Sequence, residues 1–153
     1  MPFTARHAPR RSRGFTLLEL MVVVTLIAIA TATATLALRD ADASRLEEEA
    51  ARLSAVFEGA RARARAEGLE LMWQPGKEPG SGFTFIGMPP EAQMPDKWLD
   101  ERTRGEIVGS PVLRLGPEPV IGAQRVVLRI EDRQIVLATD GMGPFVVVFP
   151  EQP

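Results

Sequence analysis

Residues 10–38 read RRSRGFTLLELMVVVTLIAIATATATLAL, and they decide how the chain begins to fold. The run from Phe15 to Leu38 holds 24 residues, of which only Glu19 is charged. A helix of that length reaches roughly 36 Å, enough to cross a hydrocarbon core of about 30 Å. Proline is absent between Arg10 and Gln74. The stretch therefore predicts one long helix that continues beyond a membrane span and carries a carboxylate near its start.

The charges on the two sides of this run differ in sign. Residues 1–14 carry four arginines and no acid, whereas residues 39–49 carry two arginines and five acids. The positive-inside rule then predicts a cytoplasmic N-terminus, with everything after the run on the other side of the membrane. Removing the +4 leader from a net charge of −2 leaves about −6. Such an acidic remainder gives no electrostatic reason to expect a nucleic-acid partner.

The side-chain inventory argues against catalysis. The chain has no cysteine and no tyrosine, and its single histidine, His7, lies in the basic leader. Thiolate or imidazole chemistry is therefore not expected downstream, and we predict a protein that is not an enzyme, with no cofactor and no metal. Several acids form pairs or lie beside turns, where carboxylates commonly serve turn geometry. They are Glu131, Asp132, Asp96, Asp100 and Asp140.

Three ordinary interpretations compete for the apolar run. A cleaved secretory signal would use the small-residue patterns Ala32-Thr33-Ala34 or Ala41-Asp42-Ala43, but the run is longer than a usual signal core and contains a carboxylate. A twin-arginine signal would use Arg10-Arg11, whose surroundings match poorly. A plain anchor would leave the charge unexplained, because a carboxylate in the bilayer costs about 2.5–3.5 kcal/mol on insertion scales.

Cleavage between Gly14 and Phe15 would give the Glu19 carboxylate a charged partner. It would create a positively charged amine on Phe15, four residues before Glu19 and one helical turn away on the same face. When such helices bundle side by side, Glu19 of one chain can pair with the amine of its neighbour. Each buried charge is then neutralised only in the assembly, which makes the pair a register device for a polymer.

The junction RGFTLLELMVVVTLIAI resembles the class III leader junction of type IV pilins and type II secretion pseudopilins. In that family a basic leader ends in glycine, the mature chain begins with phenylalanine, threonine often follows, and glutamate stands at the fifth mature position. The corresponding residues are Gly14, Phe15, Thr16 and Glu19. The resemblance implies that a prepilin peptidase cuts after Gly14 and methylates the amine of Phe15, and that Thr16 and Glu19 serve assembly.

The helical pattern continues from Arg39 to Glu67 with a new apolar face. Gly68 follows as a natural C-cap. We expect Arg61, Arg63 and Arg65 to belong to a solvated face, because alternating helical residues point in different directions. The apolar face is formed by residues spaced three and four apart, Leu46, Ala50, Leu53, Phe57, Ala60 and Ala64.

After Gly68 the sequence changes to short β-like runs separated by proline and glycine. The last run, FVVVF, predicts a central, buried strand. EDR and DGMGP read as hairpin connections, and Trp73 and Trp98 are either core residues or interface anchors. The predicted strands are Leu69–Trp73, Phe83–Gly87, Val112–Leu115, Gln124–Ile130, Gln134–Thr139 and Phe145–Phe149.

The predicted fold class is α+β, a long N-terminal helix packed on a C-terminal antiparallel β-sheet domain, because the apolar helix stripe needs a sheet to cover it. The predicted segments are a cleaved leader (1–14), a transmembrane or filament-core helix (15–38), an amphipathic helix (39–67) and a periplasmic β domain (68–153).

The ending RQIVLATDGMGPFVVVF, together with Trp98-Leu99, resembles H-type minor pseudopilins of type II secretion systems and their FimT/FimU minor-pilin relatives. The resemblance implies a structural subunit of the inner membrane and of the periplasmic pseudopilus near its tip. Its implied partners are the prepilin peptidase, the major pseudopilin, other minor pseudopilins, the inner-membrane assembly platform and the lipid bilayer. A minor type IV pilin of a surface fibre or DNA-uptake machine remains the alternative. A soluble periplasmic binding module with a cleaved signal is a more remote one.

Overall fold

The computed structural model describes residues 15–78 and 80–148, with the backbone alone for residues 36 and 38–40. It contains one helix and seven strands in the order α1 (Leu17–Glu67), β1 (Met72–Pro75), β2 (Phe83–Ile86), β3 (Arg104–Ile107), β4 (Leu113–Arg114), β5 (Gln124–Ile130), β6 (Arg133–Thr139) and β7 (Val146–Val148). The helix followed by antiparallel strands confirms the predicted α+β class. The chain divides into two compact units, Met1–Ala37 and Leu38–Pro153.

Within the second unit, the apolar stripe of α1 is buried as its spacing predicts. Each of the six stripe residues is at most 2% exposed. The helix ends at Glu67, because Gly68 adopts the left-handed backbone conformation that terminates it. Gly68 has a φ of 65°, and the backbone N–H of Leu69 donates to the carbonyl of Ala64 at 2.9 Å. This hydrogen bond is the one that closes a Schellman-type helix end, so the predicted C-cap is confirmed.

The strands form two antiparallel sheets. A three-stranded sheet has the order β2-β1-β4, and a four-stranded sheet has the order β3-β5-β6-β7. The β5–β6 hairpin is the longest pairing, with Gln124 opposite Thr139 and Ile130 opposite Arg133. Its two-residue connection places Glu131 at a φ of 49°, in the left-handed region that tight hairpin turns require. The predicted EDR hairpin is therefore confirmed.

Two expectations about strands were wrong. No strand was expected at β3, because the residues Arg-Gly-Glu-Ile lack an apolar run. Backbone pairing with β5 creates this strand. The final strand is not central: β7 pairs only with β6, at the edge of the sheet. Val146 is 52% exposed and Val148 is 43% exposed, so a run of valines here reflects strand propensity rather than burial.

Aromatic side chains fill the centre of the core in the second unit. The rings of Phe57 and Trp73 meet edge to face with centroids 5.0 Å apart, and Phe145 lies 4.9 Å from Phe57. Trp73 is fully buried and Trp98 is 8% exposed. Both tryptophans therefore serve the core of this unit, which resolves the two possibilities that the sequence left open.

Candidate processing and assembly site

The N-terminal end of α1 is capped by Thr16. The hydroxyl oxygen Oγ1 of Thr16 accepts a hydrogen bond from the backbone N–H of Glu19 at 3.2 Å, and its carbonyl accepts from Leu20 at 3.1 Å. These contacts are those of an N-cap residue whose side chain satisfies a free N–H of the first turn. The pattern Thr-Leu-Leu-Glu is that of a capping box. Thr16 is therefore the N-cap residue of α1 and determines where the helix begins.

Glu19 lies in the first turn of α1 and is exposed to the surroundings of the chain. An acidic side chain in the first turn interacts favourably with the positive end of the helix dipole. Its carboxylate makes no ion pair with any other residue in the described ranges 15–78 and 80–148. The charge is therefore presented outward, where another molecule can reach it.

Phe15 lies outside the helix, because α1 begins at Leu17. The expectation that Phe15 and Glu19 share one helix face therefore needs correction. The cap at Thr16 ends the helical geometry before Phe15, so helical spacing does not fix the position of its amine relative to Glu19. The side chain of Phe15 is 75% exposed. Gly14 lies outside the described residues, and cleavage after it stays a prediction.

The helix that follows the cap can span a membrane by length and composition. Among the described residues one such segment occurs, Leu17–Thr35, and none of it is buried within the structure. Its 19 residues reach about 28 Å, close to the thickness of a hydrocarbon core. Leu17 is 78% exposed and Ile27 is 60% exposed. An uncovered apolar helix of this kind requires either lipid or other helices around it.

The threonines in this segment satisfy their own hydroxyl groups. Thr25 donates to the carbonyl of Met21 at 2.8 Å, and Thr31 donates to that of Ile27 at 2.8 Å. Thr33 and Thr35 bond back to the preceding turn in the same way. These threonines are therefore compatible with an apolar span, because each hydroxyl hydrogen has an acceptor on the preceding turn.

Two of the acids that might have suggested chemistry, Asp100 and Asp140, are engaged in structural contacts. Asp100 accepts two hydrogen bonds from the side chain of Arg102 and one from its backbone, and these bonds lower the pKa of Asp100 to about 2. Asp140 accepts from the backbone N–H groups of Gly143 and Met142, which lowers its pKa as well. Among the described residues no group of three or more candidate metal ligands occurs.

Two charged residues of α1, Glu49 and Arg61, are buried, which their positions in the sequence did not predict. Arg61, expected on a solvated face, is 2% exposed; its guanidinium donates to the carbonyl of Gly143 at 2.7 Å and to Glu58 at 3.1 Å. Glu49 is 1% exposed and accepts from Arg52 and from the backbone of Leu99. Helical periodicity does not distinguish these residues from exposed ones, because each also bonds to the backbone of a loop far along the chain.

Comparison with known proteins bears on the N-terminal segment alone. Residues 9–35 match the family described as the prokaryotic N-terminal methylation motif. No curated protein and no solved structure matches the chain. The motif implies processing by a prepilin peptidase, and the apolar helix fits a membrane-anchored protein. The capped, uncovered helix and its outward-facing carboxylate thus belong to a prepilin-type methylation motif, which supports a type IV pilin-like or pseudopilin protein.

Proposed function

We propose that this chain is an H-type minor pseudopilin of a type II secretion system. In this role it is a structural subunit near the tip of the periplasmic pseudopilus, and it supports the export of folded proteins across the outer membrane. The observation that carries the proposal is the methylation motif over residues 9–35, which ends in an apolar helix with one outward carboxylate. It acts by assembling rather than by catalysing a reaction.

The charge pair at the N-terminus drives this assembly. Cleavage after Gly14 frees the amine of Phe15, and Glu19 of an adjacent subunit accepts it. Both charges enter an apolar bundle, and an unpaired carboxylate there costs about 2.5–3.5 kcal/mol on insertion scales. Pairing removes most of that cost only when the two helices have the correct stagger. Because the Thr16 cap ends α1 before Phe15, the amine is free to turn toward a neighbouring chain.

The C-terminal hairpin supports the H-type assignment over a major pseudopilin. Strands β6 and β7 are joined by a turn in which Asp140 accepts two backbone hydrogen bonds, and Phe145 enters the core directly after it. This is the strand, turn and Pro-Phe strand arrangement on which the resemblance to H-type pseudopilins rests. The same hairpin suits a minor type IV pilin of the FimT/FimU sort, which is the second candidate.

We place the subunit in the inner membrane as a single-pass protein. The basic residues 1–14 stay in the cytoplasm, and the acidic flank with the β domain lies in the periplasm. The major pseudopilin, the other minor pseudopilins and the assembly platform contact it there.

Mass spectrometry of the N-terminus tests the processing step. The full chain is expressed in membranes with and without a prepilin peptidase, and an uncleavable Gly14→Val variant serves as the control. We expect a mature chain that begins at N-methylated Phe15 only when the peptidase and the native glycine are both present. A mature chain that begins at Thr35 or Ser44 shows a secretory signal and overturns the filament function.

Deletion of the gene in its own organism separates the two candidate machines. A pseudopilin deletion blocks release of secreted folded proteins and leaves surface fibres intact. A deletion that removes surface fibres and leaves secretion unchanged assigns the chain to a type IV pilus instead.

A further inference from the structure

A small cavity lies between α1 and the end of the four-stranded sheet, next to the last residue of β7. Its volume is about 160 Å³. Its walls include Leu46 of the helix stripe and Ile135 of β6, both of which are buried core residues. The cavity therefore adjoins the hydrophobic core of the second unit. The other lining residues are Ala43, Glu47, Arg133, Gln134 and Val148.

The apolar stripe of α1 reaches this cavity without being fully covered. Leu46 is 2% exposed, whereas Ala43, one turn earlier on the same side of the helix, is only partly buried. Among the described residues, the beginning of the stripe thus lacks the packing that the rest of it receives. An apolar side chain in the cavity would bury Ala43 and extend the core by one helical turn.

Strand register determines which residue comes next to the cavity. The β6–β7 pairs are Ala138–Val146, Leu137–Val147 and Val136–Val148. Phe149 follows directly in the sequence and lies outside the described residues. One further step along the same ladder pairs it with Ile135, which lines the cavity.

The alternation along β7 predicts that the side chain of Phe149 points toward the cavity. Phe145 is 1% exposed and Val147 packs against the hydrophobic core, whereas Val146 between them is 52% exposed. Because successive side chains on a strand point to opposite faces, residue 149 shares the inward face with residues 145 and 147. Ile135, its partner on the ladder, is 5% exposed and belongs to the same core. Paired residues on antiparallel strands place their side chains on one face, so the two observations agree.

We propose that the side chain of Phe149 occupies this cavity and anchors the edge strand β7 to α1. An apolar cavity of about 150 Å³ accepts a benzene ring, so the volume suits a phenyl group. The ring packs against Leu46 and Ile135, and it covers Ala43. Pro150 has no N–H to donate, so we expect the ladder to end at Phe149. The contact lies within the second unit and does not depend on the proposed filament role.

Labelling of a single cysteine tests this contact, since the chain has no native cysteine. Ala43→Cys is introduced into the full-length chain in detergent, and its rate of reaction with a maleimide is compared between native Phe149 and Phe149→Ala. We expect labelling to be at least about fivefold faster in Phe149→Ala, because the thiol is no longer covered by the ring. Phe149→Leu keeps an apolar side chain in the cavity and should retain most of the protection.

Val146→Cys is the matched control, because it lies on the outward face of the same strand. Its labelling rate should stay the same when Phe149 is replaced by alanine. Tryptophan fluorescence checks that each variant is folded, since both tryptophans lie in the core of the second unit. Phe149→Val, a smaller truncation, repeats the comparison if the alanine variant fails to fold.

Equal labelling rates of Ala43→Cys with native Phe149 and with Phe149→Ala would overturn the proposal. An equal acceleration at Val146→Cys would overturn it as well, because the effect would then belong to the whole strand rather than to the cavity. Protection of Ala43→Cys that appears only as the protein concentration rises would assign the cavity to a second copy, which also contradicts the proposal.

Discussion

Buried Glu49 and half-buried Arg52 form an ion pair that ties α1 to the loop at residues 97–99. Their closest atoms, Oε1 and Nη1, lie 2.7 Å apart. The second oxygen of Glu49 accepts the backbone N–H of Leu99, and Arg52 donates to the carbonyl of Lys97 at 3.2 Å. The two side chains thus bind the backbone on either side of Trp98, which fixes this tryptophan in the core.

Substituting Glu49 by alanine should destabilise the second unit strongly. It removes the partner of Arg52 and leaves the N–H of Leu99 without an acceptor, at a cost of about 2–4 kcal/mol in the free energy of unfolding. Urea unfolding of the full chain in detergent, followed by tryptophan fluorescence, measures the loss. Glu48→Ala, one position away but exposed, should change stability by less than about 0.5 kcal/mol. Equal losses of stability in the two variants would contradict a structural role for the hydrogen bonds of Glu49 to Arg52 and Leu99.

Replacing Arg61 by alanine should loosen the β6–β7 turn more than the rest of the sheet. Arg61 donates to the carbonyls of Gly141 and Gly143, and the variant leaves each with one remaining donor, Ile121 or Thr139. We expect a loss of about 2–4 kcal/mol in unfolding free energy, since a buried charge network is broken. Hydrogen exchange at residues 141–145 should accelerate selectively. Arg65→Ala is the matched exposed control, and exchange that stays as slow as in the native chain would show that the turn does not need this arginine.

Acidic pH should remove the contribution of Asp100 to the stability of the folded chain. Hydrogen bonds from Arg102 lower the pKa of this carboxyl to about 2 from 3.8, so the folded state binds its proton less readily than the unfolded state does. The stabilisation is therefore complete above about pH 4 and is lost as the pH falls toward 2. The Tm difference between the native chain and Asp100→Asn should be present at pH 7 and shrink over that window. A difference that stays constant down to pH 2 would rule out this ion pair as its source.

Neutralising Glu19 should impair assembly into filaments without changing the stability of the second unit. The carboxylate has no ion-pair partner within the described residues, so Glu19→Ala should leave the unfolding of the second unit unchanged within about 0.5 kcal/mol. Incorporation into filaments should fall, because the amine of Phe15 in the neighbouring subunit loses its counter-charge. Co-purification with the filament measures this. Normal incorporation of Glu19→Ala would refute the pairing between chains.

Local patterns in the sequence were sufficient to predict the elements that are stabilised by interactions between neighbouring residues. The Leu46–Ala64 stripe, the Gly68 helix end and the β5–β6 hairpin depend on periodicity, capping and turn chemistry within a few residues, and the structure confirms all three. The same holds for the methylation motif, which is a short contiguous pattern. The prediction of cleavage after Gly14 stays a prediction.

Tertiary structure decided the features that depend on partners far along the chain. β3 exists because β5 offers it backbone hydrogen bonds, and β7 is an edge strand because no further strand pairs with it among the described residues. Glu49 and Arg61 are buried because loops some fifty and eighty residues away supply their hydrogen-bond partners. Sequence alone determined the amphipathic helix, its C-terminal cap and the N-terminal motif, since their energetics are local. Only the folded chain determined which charges are buried and which sheet face stays open, because those outcomes depend on long-range contacts.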